Sequence, residues 1–572
     1  MKKMEKNLDY NYIIGLFLIL LVFSIFTYNL NLNTGVNKNL KKIISNKKSI
    51  ITLRKDNEGK VEDFVTLENN VLRIKISNIG GIISEVYLKK YKTYDLNSFS
   101  HKNKKNLYLV NNSSFLYNIT FTKKKKLNTS NLYFIPVFFK KKNEKNCYVT
   151  MKAKNPFGKG FLYYNYKIEG ENKYDIKFNV KTKDINLYNE FFTIDFEQNL
   201  FPLEKDRNWE NSYTQVFYSY TKPNYTNSSI KYLSERNSEK KYINNVNWIS
   251  CKQQFFSTII IPDKILKNVY IFSENYSSGD FLKKIYIHSY MKNKGLDINF
   301  SFSLYFGPID FKLLKQYKNG FENIIPFGWG FLNYINKYFF LTIFKFLEKT
   351  NLNYGIIVIL MTIVVKLILS PIIYKQYKLS AVMRIIRPYI EELNNKYKNE
   401  EVMVKQRKIM ELYKKVGIHP MSGCISALLQ IPIFYSLFKF FPTLINLRGK
   451  HFLWVDDLTS YDSILKLPFF IPFYGDHVSL LTLLYALALF LYTKFSNNEN
   501  ELSSKNEDFM PKMNFLLYIM PFIMLLFINS YASALSLYYF VSNIINIIFL
   551  FLIKKFFLNE EKILEKIQKC NI

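Results

Sequence analysis

Apolar segments of bilayer length constrain this chain more than any other feature, and one of them contains a charge. The stretch GIIVILMTIVVKLILSPII runs from Gly355 to Ile373 and includes Lys366. About 20 apolar residues in a helix cross the hydrocarbon core of a bilayer. Hydropathy predicts six such helices, over Tyr12–Tyr28, Tyr354–Ile373, Met421–Phe441, Val478–Tyr492, Asn514–Ile528 and Ala534–Ile553. The sequence therefore predicts a polytopic α-helical membrane bundle.

The distribution of charge predicts the orientation of these helices. The segment Tyr374–His419 is rich in lysine and arginine, so the positive-inside rule places it in the cytoplasm. Six spans then put both termini in the cytoplasm and residues 31–325 outside. The first apolar run follows a basic lead, and no A-x-A-like cleavage site comes after it. This favours an uncleaved anchor over residues 1–30 rather than a cleaved secretory signal.

Residues 31–325 show alternating patterns in place of membrane-length apolar runs. In VLRIKIS, Leu72, Ile74 and Ile76 alternate with polar residues, which is typical of a half-buried strand. The same period recurs in NKYDIKFNVKT, FFSTIIIP, KKIYIHSY and DINFSFSLYF. We therefore predict a large extracytoplasmic antiparallel β-sandwich domain.

Residues 326–350 separate this domain from the membrane core. Trp329, Tyr334 and Tyr338 stand there on an apolar background with interspersed lysines. The pattern predicts an amphipathic helix at the membrane interface, with a short buried helix as the alternative.

A cytoplasmic helical hairpin is predicted within residues 374–419 of the membrane core, which covers residues 351–572. Apolar residues recur every three or four positions from Met383 to Tyr397, and again from Val402 to Val416 after the break KNEE. Two such seams joined by a short turn predict an antiparallel coiled coil. We interpret the hairpin as a docking arm, the alternative being a simple connector.

Lys366 lies near the middle of its predicted span, where a charge is costly. On insertion scales the cost is about 2.5–3.5 kcal/mol, and none of the other predicted spans contains Asp or Glu as a partner. We predict a water-filled pocket open to the cytoplasm, although snorkelling toward the headgroups is an alternative. Polar side chains that could line it are Thr362, Gln430, Tyr538, Tyr539, Ser542 and Asn543. Each alone could equally form an ordinary helix–helix hydrogen bond.

Other function classes leave no signature in the sequence. The chain contains no GxxxxGK[ST], HExxH or GxSxG motif, and its four cysteines share no metal-ligand spacing. We therefore predict no cofactor and no metal site. The net charge of +34 follows mainly from lysines scattered through an A/T-biased composition, so no nucleic-acid function is expected. Cys147 and Cys251 could pair, and the sequence leaves this open.

Three segments resemble the YidC-type membrane protein insertases. They are HPMSGCISALLQIPIFYSLF (His419–Phe438), SLYYFVSN (Ser536–Asn543) and WISCKQQFFSTIIIP (Trp248–Pro262). The order of anchor, periplasmic sandwich, interface helix, charged span, hairpin and further spans is also similar to that of the Gram-negative form. Lys366 occupies the place of a groove arginine in that family, which keeps the charge but loses the fork of donors. Thr362, Gln430 and the pair Tyr538–Tyr539 match groove positions.

The resemblance implies an insertase and chaperone in the bacterial inner membrane that is not an enzyme and uses no nucleotide. Nascent membrane proteins would arrive from a ribosome or targeting particle, with the Sec translocon as a further candidate partner and the lipid bilayer as their destination. Lys366 would hold the polar, often acidic, outer portion of a client. The client's apolar segment would slide into lipid along two spans, over Ile431, Ile433, Phe434, Phe522 and Leu526.

Two other classes remain open at this point. A small-solute transporter or channel could use Lys366 as an anion site, although no internal repeat or paired discontinuous helices are evident. An envelope receptor could bind carbohydrate on its sandwich, although the sequence shows no clear cluster of acidic and aromatic residues.

Overall fold

The chain divides into two compact units, Met1–Pro308 and Ile309–Ile572. The computed structural model describes residues 61–94, 104–122, 126–142, 146–185, 191–222, 227–293, 295–397, 400, 402–416, 422–472, 474–497 and 511–557. The predicted anchor, residues 1–30, lies outside the described residues.

The first unit is built from strands whose burial follows the alternation in the sequence. In Asp175–Lys183, Ile176, Phe178 and Val180 are buried, whereas Lys177 and Lys181 are exposed, because successive side chains of a strand point to opposite faces. The strands of this unit are β1 Phe64–Glu68, β2 Leu72–Ser77, β3 Ile83–Tyr94, β4 Lys104–Val110, β5 Phe115–Thr122, β6 Lys126–Asn128, β7 Ile135–Lys142, β8 Asn146–Lys154, β9 Phe161–Glu169, β10 Asp175–Lys183, β11 Phe191–Leu200, β12 Gln215–Thr221, β13 Ser228–Tyr232, β14 Glu239–Ile243, β15 Val246–Lys252, β16 Phe256–Pro262, β17 Lys267–Asn275, β18 Lys283–Lys292 and β19 Asn299–Pro308.

Two large antiparallel sheets form the body of this unit. One has the strand order β13-β12-β15-β16-β19-β10-β9-β8-β7, and the other has the order β14-β17-β18-β11-β5-β6. A smaller sheet has the order β1-β2-β3-β4. These connections between antiparallel neighbours agree with the predicted antiparallel β domain.

Aromatic side chains from the two large sheets meet in the core. Tyr117 of β5 packs on Phe178 of β10 at a centroid distance of 5.2 Å, and its hydroxyl hydrogen-bonds that of Tyr166. Phe196 of β11 contacts Phe302 of β19 edge-on at 5.5 Å. Such contacts across the two inner faces make the unit a β-sandwich.

The segment WISCKQQFFSTIIIP lies on β15 and β16. Its polar residues form hydrogen bonds with the neighbouring segment 201–213. The Lys252 ammonium donates to the Tyr213 carbonyl at 2.7 Å, next to helix α1 (Arg207–Tyr213). Gln253 donates to the Phe201 carbonyl at 2.8 Å and to Glu210 Oε1 at 3.0 Å. These buried groups are satisfied by the loop they hold, so they have a structural role here.

The pairing of Cys147 with Cys251, left open by the sequence, does not occur in the structure. Both cysteines are buried and both thiols are free. The Cys147 thiol lies 3.3 Å from the Glu68 carbonyl, to which it donates.

The second unit is helical. Its helices are α2 Phe311–Lys315, α3 Phe331–Tyr334, α4 Leu341–Glu348, α5 Tyr354–Lys396, α6 Val402–Val416, α7 Ser422–Phe440, α8 Leu480–Asn497, α9 Pro511–Ile528 and α10 Ser533–Leu552, with π-helical segments Ile335–Phe340 and Ile553–Phe557. A short antiparallel hairpin, β20 Leu465–Ile471 and β21 Gly475–Val478, lies between α7 and α8. This hairpin was not predicted from the sequence, because its residues resemble an apolar loop between two spans.

The predicted hairpin of residues 374–419 differs from expectation at its first helix. This helix does not start after the span, because α5 is one continuous helix of 43 residues that includes both, with Pro371 and Pro388 inside. Helix α6 packs against its distal part through buried Ile386 and Leu412. Half-buried residues around this pair are Leu379, Val382, Ile385, Tyr389, Ile390, Leu393 and Val416. The arm is therefore an extension of a membrane-length helix.

Within the described residues, two helical segments are long and apolar enough to cross a membrane, Tyr354–Leu379 and Ser533–Phe556. Two shorter apolar helices are Leu480–Ser496 and Tyr518–Ile528. The coarse prediction of a large β domain followed by a helical unit is confirmed.

Gly355 gives a test of the packing at the start of α5. A Cβ atom on this residue would lie 2.0 Å from Phe452 Cγ, inside the ring's own space. Alanine normally stabilises a helix relative to glycine, but overpacking costs about 1–3 kcal/mol. We therefore expect Gly355→Ala to lower the unfolding temperature of the full-length protein, measured by thermal denaturation in detergent.

The matched control is the double variant Gly355→Ala/Phe452→Ala, which removes the obstructing ring. Adding alanine at position 355 to the Phe452→Ala chain should lower the unfolding temperature less than adding it to the chain that keeps Phe452. An unchanged or raised unfolding temperature for Gly355→Ala alone would contradict this packing.

Candidate functional site

Lys366 of α5 is enclosed between helices in the middle of the helical unit. Only 5% of the residue is exposed, and its ammonium donates to Asn546 Oδ1 of α10 at 2.9 Å. The expectation that the ammonium has no buried partner is therefore wrong. The partner is a neutral amide, so a hydrogen bond is satisfied, whereas no carboxylate among the described residues pairs with the positive charge.

Asn546 also receives a second hydrogen bond, through its backbone. The Tyr377 hydroxyl of α5 donates to the Asn546 carbonyl oxygen at 3.2 Å and lies 3.3 Å from the Tyr492 hydroxyl of α8, within hydrogen-bond distance. One residue of α10 thus links two positions of α5, and Tyr377 connects both to α8. Asn546 was not predicted from the sequence, because only a carboxylate was considered as the partner of Lys366. An amide within the apolar segment Ala534–Ile553 is nevertheless itself a signal of helix–helix hydrogen bonding.

Most of the predicted pocket residues are buried in the same bundle. Thr362 is fully buried one turn before Lys366, and its hydroxyl donates to the Val358 carbonyl of its own helix at 2.8 Å. On α10, Ser542 and Asn543 are buried, and the Asn543 amide donates to the Tyr539 carbonyl at 3.0 Å. The Thr362 hydroxyl and the Asn543 amide therefore donate to carbonyls of their own helices.

The two tyrosines and the glutamine occupy different environments. Tyr538 and Tyr539 are buried, with their rings edge-on at 5.3 Å. Tyr539 also packs against Phe434 at 5.2 Å, and its hydroxyl is buried without a hydrogen-bond partner among the described residues. Gln430, by contrast, is exposed on α7. The structure thus brings the tyrosines into the interior and leaves the glutamine on the surface.

Three of the five residues of the predicted slide are exposed. Phe522 is 63% exposed, and Ile431 and Leu526 are each 41% exposed. Ile433 and Phe434 are half-buried. Exposed apolar side chains on apolar helices are what a lipid-facing surface requires.

A buried polar network joins the bundle at the end where α8 and α10 begin and α9 ends. Asp462 accepts a hydrogen bond from the Ser479 hydroxyl and, at 2.9 and 3.1 Å, from the backbone N–H groups of Leu480 and Leu481. This carboxylate therefore caps α8 at its N-terminus. Sequence reasoning did not identify it, because Asp462 is separated from the helix by the hairpin β20–β21.

Asn529 completes this network. Its amide donates to the carbonyls of Tyr474 and His477 at 2.9 and 2.8 Å, and its Oδ1 accepts from the Ser479 N–H at 3.0 Å. The end of α9 is thereby fixed to the hairpin and to the start of α8. This end of the bundle is closed by hydrogen bonds that all involve buried groups.

Comparison with known proteins adds independent information. The family model described as "60Kd inner membrane protein" matches residues 346–561, and the model "YidC periplasmic domain" matches residues 64–342. Two relatives, each named "Membrane protein insertase YidC", are similar over most of the chain. The one from Parabacteroides distasonis is 36% identical over 530 residues, covering 89% of this chain and 80% of that protein. The one from Bacteroides fragilis is 31% identical over 529 residues, covering 89% and 81%.

The link between Lys366 and Asn546 can be tested by substitution. We expect Asn546→Leu to lower the unfolding temperature of the full-length protein, because leucine leaves a buried ammonium without its acceptor. Hydrogen bonds to charged groups contribute about 1.5–3 kcal/mol, so the effect should be measurable by thermal denaturation in detergent.

The control is the double variant Asn546→Leu/Lys366→Met, in which no unpaired polar group remains. It should recover a large part of the lost stability, since an apolar pair avoids the cost of an orphaned charge. Strictly additive effects of the two substitutions would show that the two side chains do not interact.

Proposed function

Since the chain belongs to the YidC family of membrane protein insertases, which are not enzymes, we propose that it transfers nascent membrane proteins into the inner membrane through the Lys366 site. The names of its relatives support the general function, and the matched family model supports the location in the inner membrane. The match of residues 64–342 identifies the β-sandwich unit as the periplasmic domain.

The proposed topology has six spans and both termini in the cytoplasm. The anchor within residues 1–30 is followed by the periplasmic domain, residues 31–325, and by the membrane core, residues 351–572. Helices α5, α7, α8, α9 and α10 supply the five spans of the core. The closed polar end around Asp462 and Asn529 then faces the periplasm, and the arm formed by α5 and α6 extends into the cytoplasm.

Residues 326–350 are proposed to lie along the periplasmic interface of the inner membrane. Tyr334, Tyr338 and Phe346 are exposed, whereas Phe340 and Phe344 are buried. This two-sided distribution supports an interfacial helix with one face toward lipid.

The observation that carries the proposed mechanism is the uncompensated charge of Lys366. In the structure the ammonium is more enclosed than an open, water-filled pocket would leave it. Its hydrogen-bond partner among the described residues is a neutral amide. An acidic group on a client can replace or join Asn546 and supply the missing negative charge. The charged site is therefore expected to open toward the cytoplasm when a client approaches, because the periplasmic end is fastened by hydrogen bonds.

The energetics of this route need no nucleotide. Polar backbone and side chains of a client avoid part of the desolvation cost if they pass a charged, hydrogen-bonding site within the bilayer. Partition of the client's apolar segment into lipid beside Phe522, Leu526 and Ile431 supplies the driving force. A membrane potential that is positive outside adds roughly 2.3 kcal/mol per acidic charge per 100 mV.

The cytoplasmic arm is the proposed point of delivery. Lys375, Lys378 and Lys414 are exposed on it, and α5 connects it without a break to the segment that holds Lys366. A ribosome or targeting particle docked on the arm would release its client beside the site. The Sec translocon is a further proposed partner.

The charge of Lys366 is the feature to test. We expect Lys366→Arg to retain insertion of a single-span client with an acidic outer tail. Lys366→Glu should reduce insertion by roughly tenfold or more, which corresponds to at least about 1.4 kcal/mol. The measurement is protease protection of the client's tail after insertion into liposomes that contain the full-length protein.

Lys494→Glu provides the matched control, since it reverses an exposed charge at the end of α8, outside the arm. It should insert the client like the parent chain. A client with an uncharged tail should be less sensitive to Lys366→Glu. Equal insertion of the acidic client by Lys366→Glu and the parent would exclude the electrostatic role.

A further inference from the structure

The hairpin β20–β21 exposes an apolar surface that the proposed function does not use. Its strand β20 and the residue before it carry exposed Ile464, Leu465, Phe469 and Phe470. Phe469 and Phe470 are 60% and 71% exposed, and as successive strand residues they point to opposite faces. We call residues 464–470 the apolar arc. Neither face of this arc is covered by the described part of the chain.

The arc is held in place by a buried base. Strand β21 is the inner strand, with Gly475 and His477 buried, and His477 stacks on Tyr461 at 3.7 Å. The Tyr474 carbonyl accepts hydrogen bonds from Asn529 at 2.9 Å and from Ser530 at 3.1 Å. The residue that precedes β21 is thereby attached to the end of α9.

The irregular pairing of the hairpin pushes the arc outward. Lys466 pairs with His477 and Ile471 pairs with Gly475, so that a single residue of β21 lies opposite Leu467–Phe470. An excess of residues on one strand bends that strand away from its partner. The aromatic side chains at 469 and 470 are therefore presented on a fixed bulge.

The chemistry of the arc favours lipid over a protein strand as its occupant. Among the described residues β20 pairs with β21 alone, but Pro468 in the middle of β20 has no N–H to donate to an added strand. A protein docked on one face would leave the other face apolar and exposed. Fluid acyl chains, by contrast, can cover both faces at once.

The position of the arc in the fold identifies the region of lipid. It lies between the end of α7 and the start of α8, so it stands at the same bundle end as the Asp462 network. Trp454 is also partly exposed there, and its indole N–H donates to Asp462 at 3.1 Å. Tryptophan is enriched where membrane and water meet.

We propose that the apolar arc inserts into the outer leaflet of the bilayer and contacts phospholipid at the level of the upper acyl chains. This inference rests on the proposed six-span topology, because that topology places this end of the bundle at the periplasmic surface. The arc anchors the ends of α8 and α9 at a fixed depth through Asn529.

Site-specific fluorescence can test the arc in the full-length protein. Cys424 and Cys570 are replaced by serine, whereas buried Cys147 and Cys251 are kept; burial raises the pKa of the Cys251 thiol to about 12, which disfavours the reactive thiolate. Phe470→Cys and Phe469→Cys, one for each face, are labelled with an environment-sensitive dye and reconstituted in phosphatidylglycerol–phosphatidylethanolamine vesicles.

Two control positions separate the inference from the topology on which it rests. Tyr242→Cys lies on the β-sandwich with 78% exposure, and Phe522→Cys lies on the proposed lipid-facing surface of α9. Labels at 469 and 470 should be quenched several-fold more by lipid that carries a nitroxide near the headgroup than by aqueous iodide. The label at 242 should show the reverse, and the label at 522 should be quenched by lipid.

The remaining outcomes each overturn the inference. Quenching of 469 and 470 by iodide, with 522 still quenched by lipid, would place the arc in water and leave the proposed topology intact. Protection of both labels from both quenchers would mean that a protein segment covers the arc. Failure of lipid quenching at 522 as well would reject the topology together with the arc.

Discussion

The hydrogen bond between Lys366 and Asn546 is the interaction on which the membrane unit most depends. A charge in the middle of an apolar bundle is costly unless it is paired or solvated, and here the described partner is an amide without charge. The bond therefore satisfies one donor of the ammonium and leaves its electrostatic demand unmet. Tyr377 adds a second link to the same residue of α10. The contact between α5 and α10 is therefore a structural joint, and it contains the charge on which the proposed mechanism depends.

The polar groups of the bundle are unevenly distributed along its length, and this difference gives the proposed opening its direction. At one end Asp462 and Asn529 bind several backbone groups each, so separation of the helices there would break many buried hydrogen bonds at once. In the middle, the lysine is held by a single acceptor among the described residues. At the other end α5 extends out of the bundle as the arm. In the proposed mechanism a client therefore approaches from the arm, where fewer buried hydrogen bonds hold the helices together, before it reaches the charge.

Prediction from sequence succeeded where a pattern has one physical meaning. Strict alternation identified strands such as Asp175–Lys183, and hydropathy located the two long apolar segments Tyr354–Leu379 and Ser533–Phe556. It failed where the outcome depends on tertiary contacts: nothing in an apolar segment distinguishes Asn546, which binds the lysine, from Asn543, which bonds its own helix. The uninterrupted course of α5 was missed because a basic segment after an apolar one suggests a boundary, although the backbone hydrogen bonds of a helix continue across both. Gln430 was assigned to the pocket as a polar residue within a predicted span, and the resemblance supported this, but the residue is exposed.

The presence of lysine, where the family that the chain resembles carries arginine, follows from the surroundings of the site. A guanidinium has five N–H donors in a rigid fork, and burying it beside one amide oxygen would leave most of them unsatisfied. An ammonium has three donors around a compact centre, so the single oxygen of Asn546 satisfies a larger share of them. The donors that remain can turn toward water or a carboxylate without movement of the helix backbone. Lysine therefore suits a buried position with one neutral acceptor among the described residues, and it keeps the charge that the proposed interaction with an acidic client requires.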